Sequence, residues 1–427
     1  MSLLFTFALI GINGLIEGTD FGGLVESMTY DVLQHHLSPG ASTKDLPVIV
    51  LDISGIQMRP TLGARPWLVT DRAPLRKVVD SLMAKKGTNA PRAIGLDVDF
   101  SPDANGYAYP DDPALFDKFL TYNKTIPIRV GVNESLSLGP QKWLIEPNYM
   151  DLVSCVVVPN AESGQSARYM PEWVVVNYPA GTFGGVEGRC PSMGIEVAHK
   201  TVKPVPRGAE WFAESFRLKS DKDSKRVSQT EFLVDYSQLQ PLIASSKEVY
   251  DSDAGVPINV NVGGKIVLLG RTKNTSDMFT VPGSPEHAYA GVFLHACAAY
   301  TLLEKYPLYS LTKPGRLILD LLFSLAIFGP LLWERLRRHK QGKEVVIGPR
   351  VPGFLSCSMA VILTFLAIGL VRWTHLMWDD FILVAVALVV HTPIEHTTVE
   401  LGKWLGETLR YWWRVSTSSP ESPSGGE

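Results

Sequence analysis

Residues 92–100, RAIGLDVDF, decide the fold: an apolar run that ends in Asp97 and Asp99, with the turn residues SPD directly after it. The run is too short for a buried helix and is closed by a turn, so it predicts a buried strand. Upstream, LPVIVLDI (Leu46–Ile53) predicts a second strand of the same kind. Between the two a helix starts at the side-chain caps Thr70 and Asp71, with Leu75, Val78, Val79, Leu82 and Met83 on one face. Downstream, DDPALFDKFL (111–120) predicts a helix with Leu115, Phe116 and Phe119 on one side, and IPIRVGV (126–132) a third strand. Strand, helix, strand, helix, strand is the order of a parallel α/β sheet with flanking helices.

Farther along, LVSCVVVP, PEWVVVNYP, EFLVDY, INVNV and KIVLLG add strand patterns, and AGVFLHACAAYTLLEKYP (290–307) predicts a closing helix running toward a membrane. GTFGGVEGRCPSMG (181–194) reads as a small-residue loop, and the charged segment 203–230 as a surface insertion.

The net charge of −3 removes nucleic acid as a partner, because that surface needs a strongly basic face. Hydrophobic residues make up 45% of the chain and collect at its two ends, which points to a lipid bilayer. An apolar segment at 1–18 predicts a short or truncated transmembrane helix, and 316–333, 353–372 and 376–392 predict three more. The loop 334–352 is basic, with six Lys or Arg between 334 and 350, whereas the next connection, RWTHL, carries one. Cationic loops stay on the cytoplasmic side, which places residues 25–310 outside. The segment 393–414 sets Leu401, Trp404, Leu405, Leu409 and Trp412 along one helical face, the pattern of an interfacial helix, and 415–427 predicts a disordered tail. An outside compartment permits a disulfide, with Cys155 and Cys190 the pair to test.

Alternation puts Asp97 and Asp99 on one face of their strand, and Asp52 falls beside them at the carboxyl edge of a parallel sheet, where ligands bind. Such acids also cap loops or pair with Arg65, Arg72 or Arg271, and structural ion pairs are the commoner use. His287 and His295 stand apart from any ligand-like spacing. The VGGKI stretch has Ile266 where a phosphate loop needs Ser or Thr. No catalytic residue, metal site or cofactor is expected.

Four segments carry a family resemblance: VIVLDIS with GARPWLVTDR, AKKGTNAPRAIGLDVDFSPD, DDPALFDKFL, and the long GKIVLLGRTKNTSDMFTVPGSPEHAYAGVFLHACAAYTLL. In this order they resemble the second type of CHASE domain, a sensory extracellular domain associated with cyclases and histidine kinases, over residues 25–310. Ala290 stands where that family prefers Pro. The resemblance implies one span before the domain and three after it, a multi-pass cell (inner) membrane protein with a large external, periplasmic domain, and no enzymatic activity. An unknown small-molecule or protein ligand outside would act through the spans on a separate cytoplasmic or membrane effector, or through a homo-oligomer. Candidate ligand contacts are Asp52, Arg65, Trp67, Arg72, Asp97, Asp99, Arg271, Asp277 and His295. Two other readings compete: an external metal-dependent hydrolase using Asp52, Asp97 and Asp99, and a structural subunit of a membrane complex.

Overall fold

In the computed structural model, six strands form one sheet: Val48–Asp52 (β1), Ala93–Asp97 (β2), Ile128–Val132 (β3), Val153–Cys155 (β4), Lys247–Glu248 (β5) and Ile266–Gly270 (β6). Their order is β5-β1-β6-β2-β3-β4, and every adjacent pair runs parallel. The structure describes residues 46–60, 68–100, 111–132, 149, 152–156, 169–171, 173–177, 187–198, 213–214, 231–273, 277–281, 284–304, 309–312 and 376–377, with scattered positions between 314 and 369. The chain divides into two compact units, one of residues 30–313 with 370–377 and one of residues 1–29, 314–369 and 378–427.

β1, β2 and β6 are apolar on both faces because both faces are covered, as parallel sheets require. On one side, Arg72–Met83 (α1) and Asp112–Asn123 (α2) pack Leu75, Val79, Phe116 and Phe119 against Ile49, Leu51, Ile94 and Leu96. On the other, Met193–Ala198 (α3), Leu239–Ser245 (α4) and Gly291–Glu304 (α5) cover Val48, Val50, Ile266 and Leu268. α1 begins where the sequence places it, with the Asp71 carboxylate accepting from the Ala73 amide at 3.1 Å. Phe100 meets Phe116 edge-on at 5.5 Å between ring centres, closing the core at the end of β2.

Several elements depart from the sequence pattern. INVNV (258–262) is an irregular stretch rather than a strand: Ile258 donates to the Val249 carbonyl and Asn259 accepts from Lys85, which ties it outside the ladder. Glu231–Leu233 pairs with Tyr169–Pro171, away from the central sheet. The presumed loop 181–194 contributes Glu187–Pro191, which pairs antiparallel with Trp173–Asn177, and the first residues of α3. Within the charged insertion, Ala213–Glu214 pairs with Tyr309–Leu311. Short elements with mixed composition take their shape from neighbours rather than from periodicity. α5 is buried along nearly its whole described length against β1 and β6, so its apolar character reflects burial in this core.

Among the described residues, no helix is long and apolar enough to cross a membrane. The expected spans at 1–18 and 376–392, the interfacial helix and the tail lie outside those residues, save that Leu376–Met377 is extended rather than helical. The spans at 316–333 and 353–372 are described only in part, and there Leu322, Trp333, Val361 and Phe365 are exposed at helical positions.

Arg72 fixes α1 to α2. Its Nε donates to Asp112 Oδ1 at 3.1 Å, with both side chains buried, its guanidinium reaches the Asp99 carbonyl at 3.1 Å, and it lies 4.1 Å from the Phe100 ring centre. Removing one member of a buried ion pair costs about 3–5 kcal/mol, because the other stays desolvated. Arg72→Ala is expected to lower unfolding stability by about that amount in urea titration. The double change Arg72→Met with Asp112→Leu is expected to recover most of the loss.

Candidate functional site

The carboxyl edge of the sheet is ordered by one row of paired residues. Asp52, Gly270 and Asp97 are register partners across β1, β6 and β2. By the two-residue alternation of a strand, all three face the side covered by α5. Gly270 is required there: a Cβ would lie 2.7 Å from Val292 Cβ, and a β-branched residue at the start of a helix cannot yield that space. The glycine therefore lets the first turn of α5 sit on the sheet between the two acids.

Asp52 is committed to its loop. Its Oδ1 accepts from the Ser54 amide at 2.9 Å, the Ser54 hydroxyl at 2.6 Å and the Thr272 amide at 3.1 Å, and Lys273 Nζ stands 3.9 Å from Oδ2. Burial alone would raise its pKa, but the hydrogen bonds from Ser54 and Thr272 together hold it below the usual carboxylate value. Arg271 completes this corner by donating to the carbonyls of Ile56 at 2.9 Å and Ser54 at 3.3 Å. Burial lowers the pKa of its guanidinium, and the charge of Asp52 opposes that shift.

Asp97 belongs to a different group. Burial pushes its carboxyl up to about 7. Asp277, just before the hairpin Met278–Val281 (β7) with Ser284–Ala290 (β8), is also pushed up to about 7, first by burial and then by the charge of Asp97, with His295 acting in the opposite sense. The Asp277 carbonyl accepts from the Gly291 amide at 3.1 Å, and its carboxyl packs on the Gly291 Cα at the start of α5, a contact that a side chain would occupy. Asp277 exposes its outer surface while Asp97 is half-buried, so Asp97 has the stronger case for protonation near neutral pH.

His295, one turn into α5, is fully buried, and neither ring nitrogen meets a hydrogen-bond partner among the described residues. Burial lowers its pKa, while Asp277 and the nearby Val156 backbone favour the charged form without a well-formed hydrogen bond. Asp97, Asp277 and His295 thus form one electrostatic group at the junction of sheet, hairpin and helix.

The residues expected to act together separate into three sets. Asp52 with Arg271 builds one corner, Asp97 with Asp277 and His295 another, and Arg72 with the Asp99 backbone pins α1. Arg65 and Trp67 lie outside the described residues, as do the side chains of Cys155 and Cys190. Asp52 and Asp97 are two strands apart, roughly 10 Å at the spacing of a sheet, with α5 packed between them. That distance argues against one metal shared by Asp52, Asp97 and Asp99, and among the described residues no three His, Cys, Asp or Glu converge as metal ligands. Ser54, Thr272, Gly270 and Gly291 were missed from sequence. Ser54 and Thr272 meet across 218 positions, while the two glycines matter through the close approach of Val292 and Asp277, contacts that no local periodicity records, although the GRTKNTSD stretch lay within the family resemblance.

The architecture defines an α/β domain on a parallel sheet whose carboxyl edge is closed by loops and by the start of one helix. A family-model comparison matches residues 4–331 to the CHASE2 domain, and the chain belongs to that family. CHASE2 domains are sensory extracellular domains rather than catalytic ones. The match extends beyond the 25–310 of the sequence resemblance at both ends. Comparison with curated proteins found no match, and comparison with solved structures found none.

The sign of the pH effect follows from the raised carboxyls. Asp97 binds a proton more tightly in the folded chain than in the unfolded one, so between about pH 4 and pH 7 the folded state holds more protons and loses stability as pH rises. His295, held neutral, works the other way below its ordinary value. The thermal midpoint of the wild type relative to Asp97→Asn is therefore expected to rise as pH falls from 7 to 4. A constant difference across that range, read by differential scanning calorimetry, would exclude a raised Asp97 pKa.

Proposed function

We propose that the chain is a membrane-anchored sensor whose external α/β domain changes conformation on binding and passes that change through its apolar segments to a separate effector or to a second copy of itself. The CHASE2 membership supports the sensory role. The observation that carries the topology is a short parallel pair: Tyr309–Leu311 beside Leu376–Met377. The first strand precedes the apolar segment at 316–333, and the second takes the end of the connection RWTHL and the first two residues of the expected span 376–392. Their pairing supports a placement of that connection on the same side as the domain, in keeping with a cytoplasmic position for the basic loop 334–352. The exposed Leu322, Trp333, Val361 and Phe365 are apolar surface suited to lipid contact.

The same pair gives the relay a route. α5 carries His295 at the sheet edge, and the chain leaving it returns as Tyr309–Leu311 before entering the apolar segments. Two conformations of the domain that differ at α5 would shift this connection, provided the bound ligand favours one of them.

Val256 is 50% exposed, on the domain surface, which makes Val256→Cys a reporter of sidedness. A membrane-impermeant maleimide is expected to label this variant in intact cells as fully as after lysis, above the wild-type background. Labelling only after lysis would overturn the external placement.

A further inference from the structure

We propose that the cleft between the β7–β8 hairpin and α4 binds a small uncharged organic ligand, one with an apolar face and with both a hydrogen-bond donor and an acceptor. The cleft has a volume of about 440 Å³, inside the roughly 300–1,000 Å³ of small-molecule sites. It opens at the carboxyl edge of the sheet, since Thr272 follows β6 by two residues and Phe293 lies in the first turn of α5. Ligands of parallel α/β sheets bind at this edge, where loops leave the strands and helix starts point outward.

The lining sets the chemistry. Among the described residues, no Asp, Glu, Lys or Arg contributes to it. A charged ligand would lose hydration there without an opposite charge from these residues in return. Polar groups are nonetheless present and aimed across the opening. Gln240 Nε2 donates to the Tyr289 hydroxyl at 3.1 Å, which orients the amide and leaves its oxygen as an acceptor with no partner among the described residues. His287, exposed at the rim, adds a ring that both donates and accepts when neutral. Apolar surface completes the cleft: Phe293, almost wholly buried, forms part of the base, and Met278 leaves 41% of its surface open. An amide-bearing aromatic compound matches this division into a flat apolar part and a neutral polar end.

The position couples an occupant to the buried group described above. Met278 directly follows Asp277, and Phe293 precedes His295 by two residues on α5. A ligand resting on both side chains touches the two elements that hold Asp277 against the start of the helix. The inference deepens the sensor reading by giving the signal a point of entry, and its test reads binding alone.

The probes are benzamide, benzoate and benzylamine, of similar size and of neutral, negative and positive charge. Each is titrated against the full chain in detergent micelles by saturation-transfer NMR. Benzamide is expected to bind the wild type, and about ten-fold more tightly than either charged probe. Ala288→Trp, at an exposed position on the hairpin, fills the cleft and is expected to weaken benzamide at least about ten-fold. Gln240→Leu, on the exposed side of α4, removes the amide and is expected to weaken it too, with the circular dichroism of both variants unchanged. Absence of benzamide binding, equal affinity for the charged probes, or undiminished binding by Ala288→Trp would each overturn the proposal. Benzamide binding with the maleimide reporter labelled only after lysis would leave the site standing and remove its external role.

Discussion

β6 is the last strand of the sheet to appear in the sequence, yet it lies between the first two, bonded to β1 on one side and β2 on the other. The rest of the domain depends on this insertion. It closes a loop of well over 100 residues from β2, an entropic cost that grows slowly with length and is offset by burying Ile266, Val267, Leu268 and Leu269 completely. It also delivers Gly270 to the row between Asp52 and Asp97. Without a side chain there, α5 can descend onto the sheet between the two acids, and its start meets the hairpin beside Asp277.

The two faces of the sheet divide the work. α1 and α2 arise from consecutive strand–helix–strand units, and their packing is local and repetitive. The opposite face is built from α3, α4 and α5, which arrive from distant parts of the chain and bring polar residues with them. Thr301 accepts from the Asp235 amide at 2.8 Å and donates to the Cys297 carbonyl at 2.8 Å, tying α5 to the segment before α4. Every feature suited to sensing lies on this second face: the raised carboxyls of Asp97 and Asp277, the buried His295, and the cleft beside α4. Burying the His295 ring with neither nitrogen hydrogen-bonded among the described residues makes this face less stable than an apolar one.

Asp52 and Asp97 show why identical residue types at equivalent strand ends behave differently. Asp52 meets three donors from Ser54 and Thr272, so its charge is matched and its pKa falls. Asp97, its counterpart across Gly270, meets no such donors among the described residues, and burial raises its pKa. Both come from the same sequence pattern, an apolar run ending in Asp. The residue two places on decides between them: Ser54 turns back and donates twice to Asp52, whereas Asp99, at the equivalent place after Asp97, gives its carbonyl to Arg72.

The amino-acid sequence by itself determined the strands at Val48, Ala93 and Ile128, the two helices between them with their buried faces, the Asp71 cap and the family resemblance. The strands, helices and cap are set by short-range periodicity or by capping within a few residues, which is physics that a local pattern records, and the resemblance rests on the four quoted segments. The tertiary structure alone decided that INVNV leaves the sheet, that Glu187–Pro191 joins a hairpin, that α5 owes its apolar character to the core, and that the acids at the edge fall into separate groups. Those outcomes turn on which segment fills the space beside a residue, near in sequence for Glu187–Pro191 and distant for Asp52 with Thr272, and such pairing leaves no periodic trace in the chain.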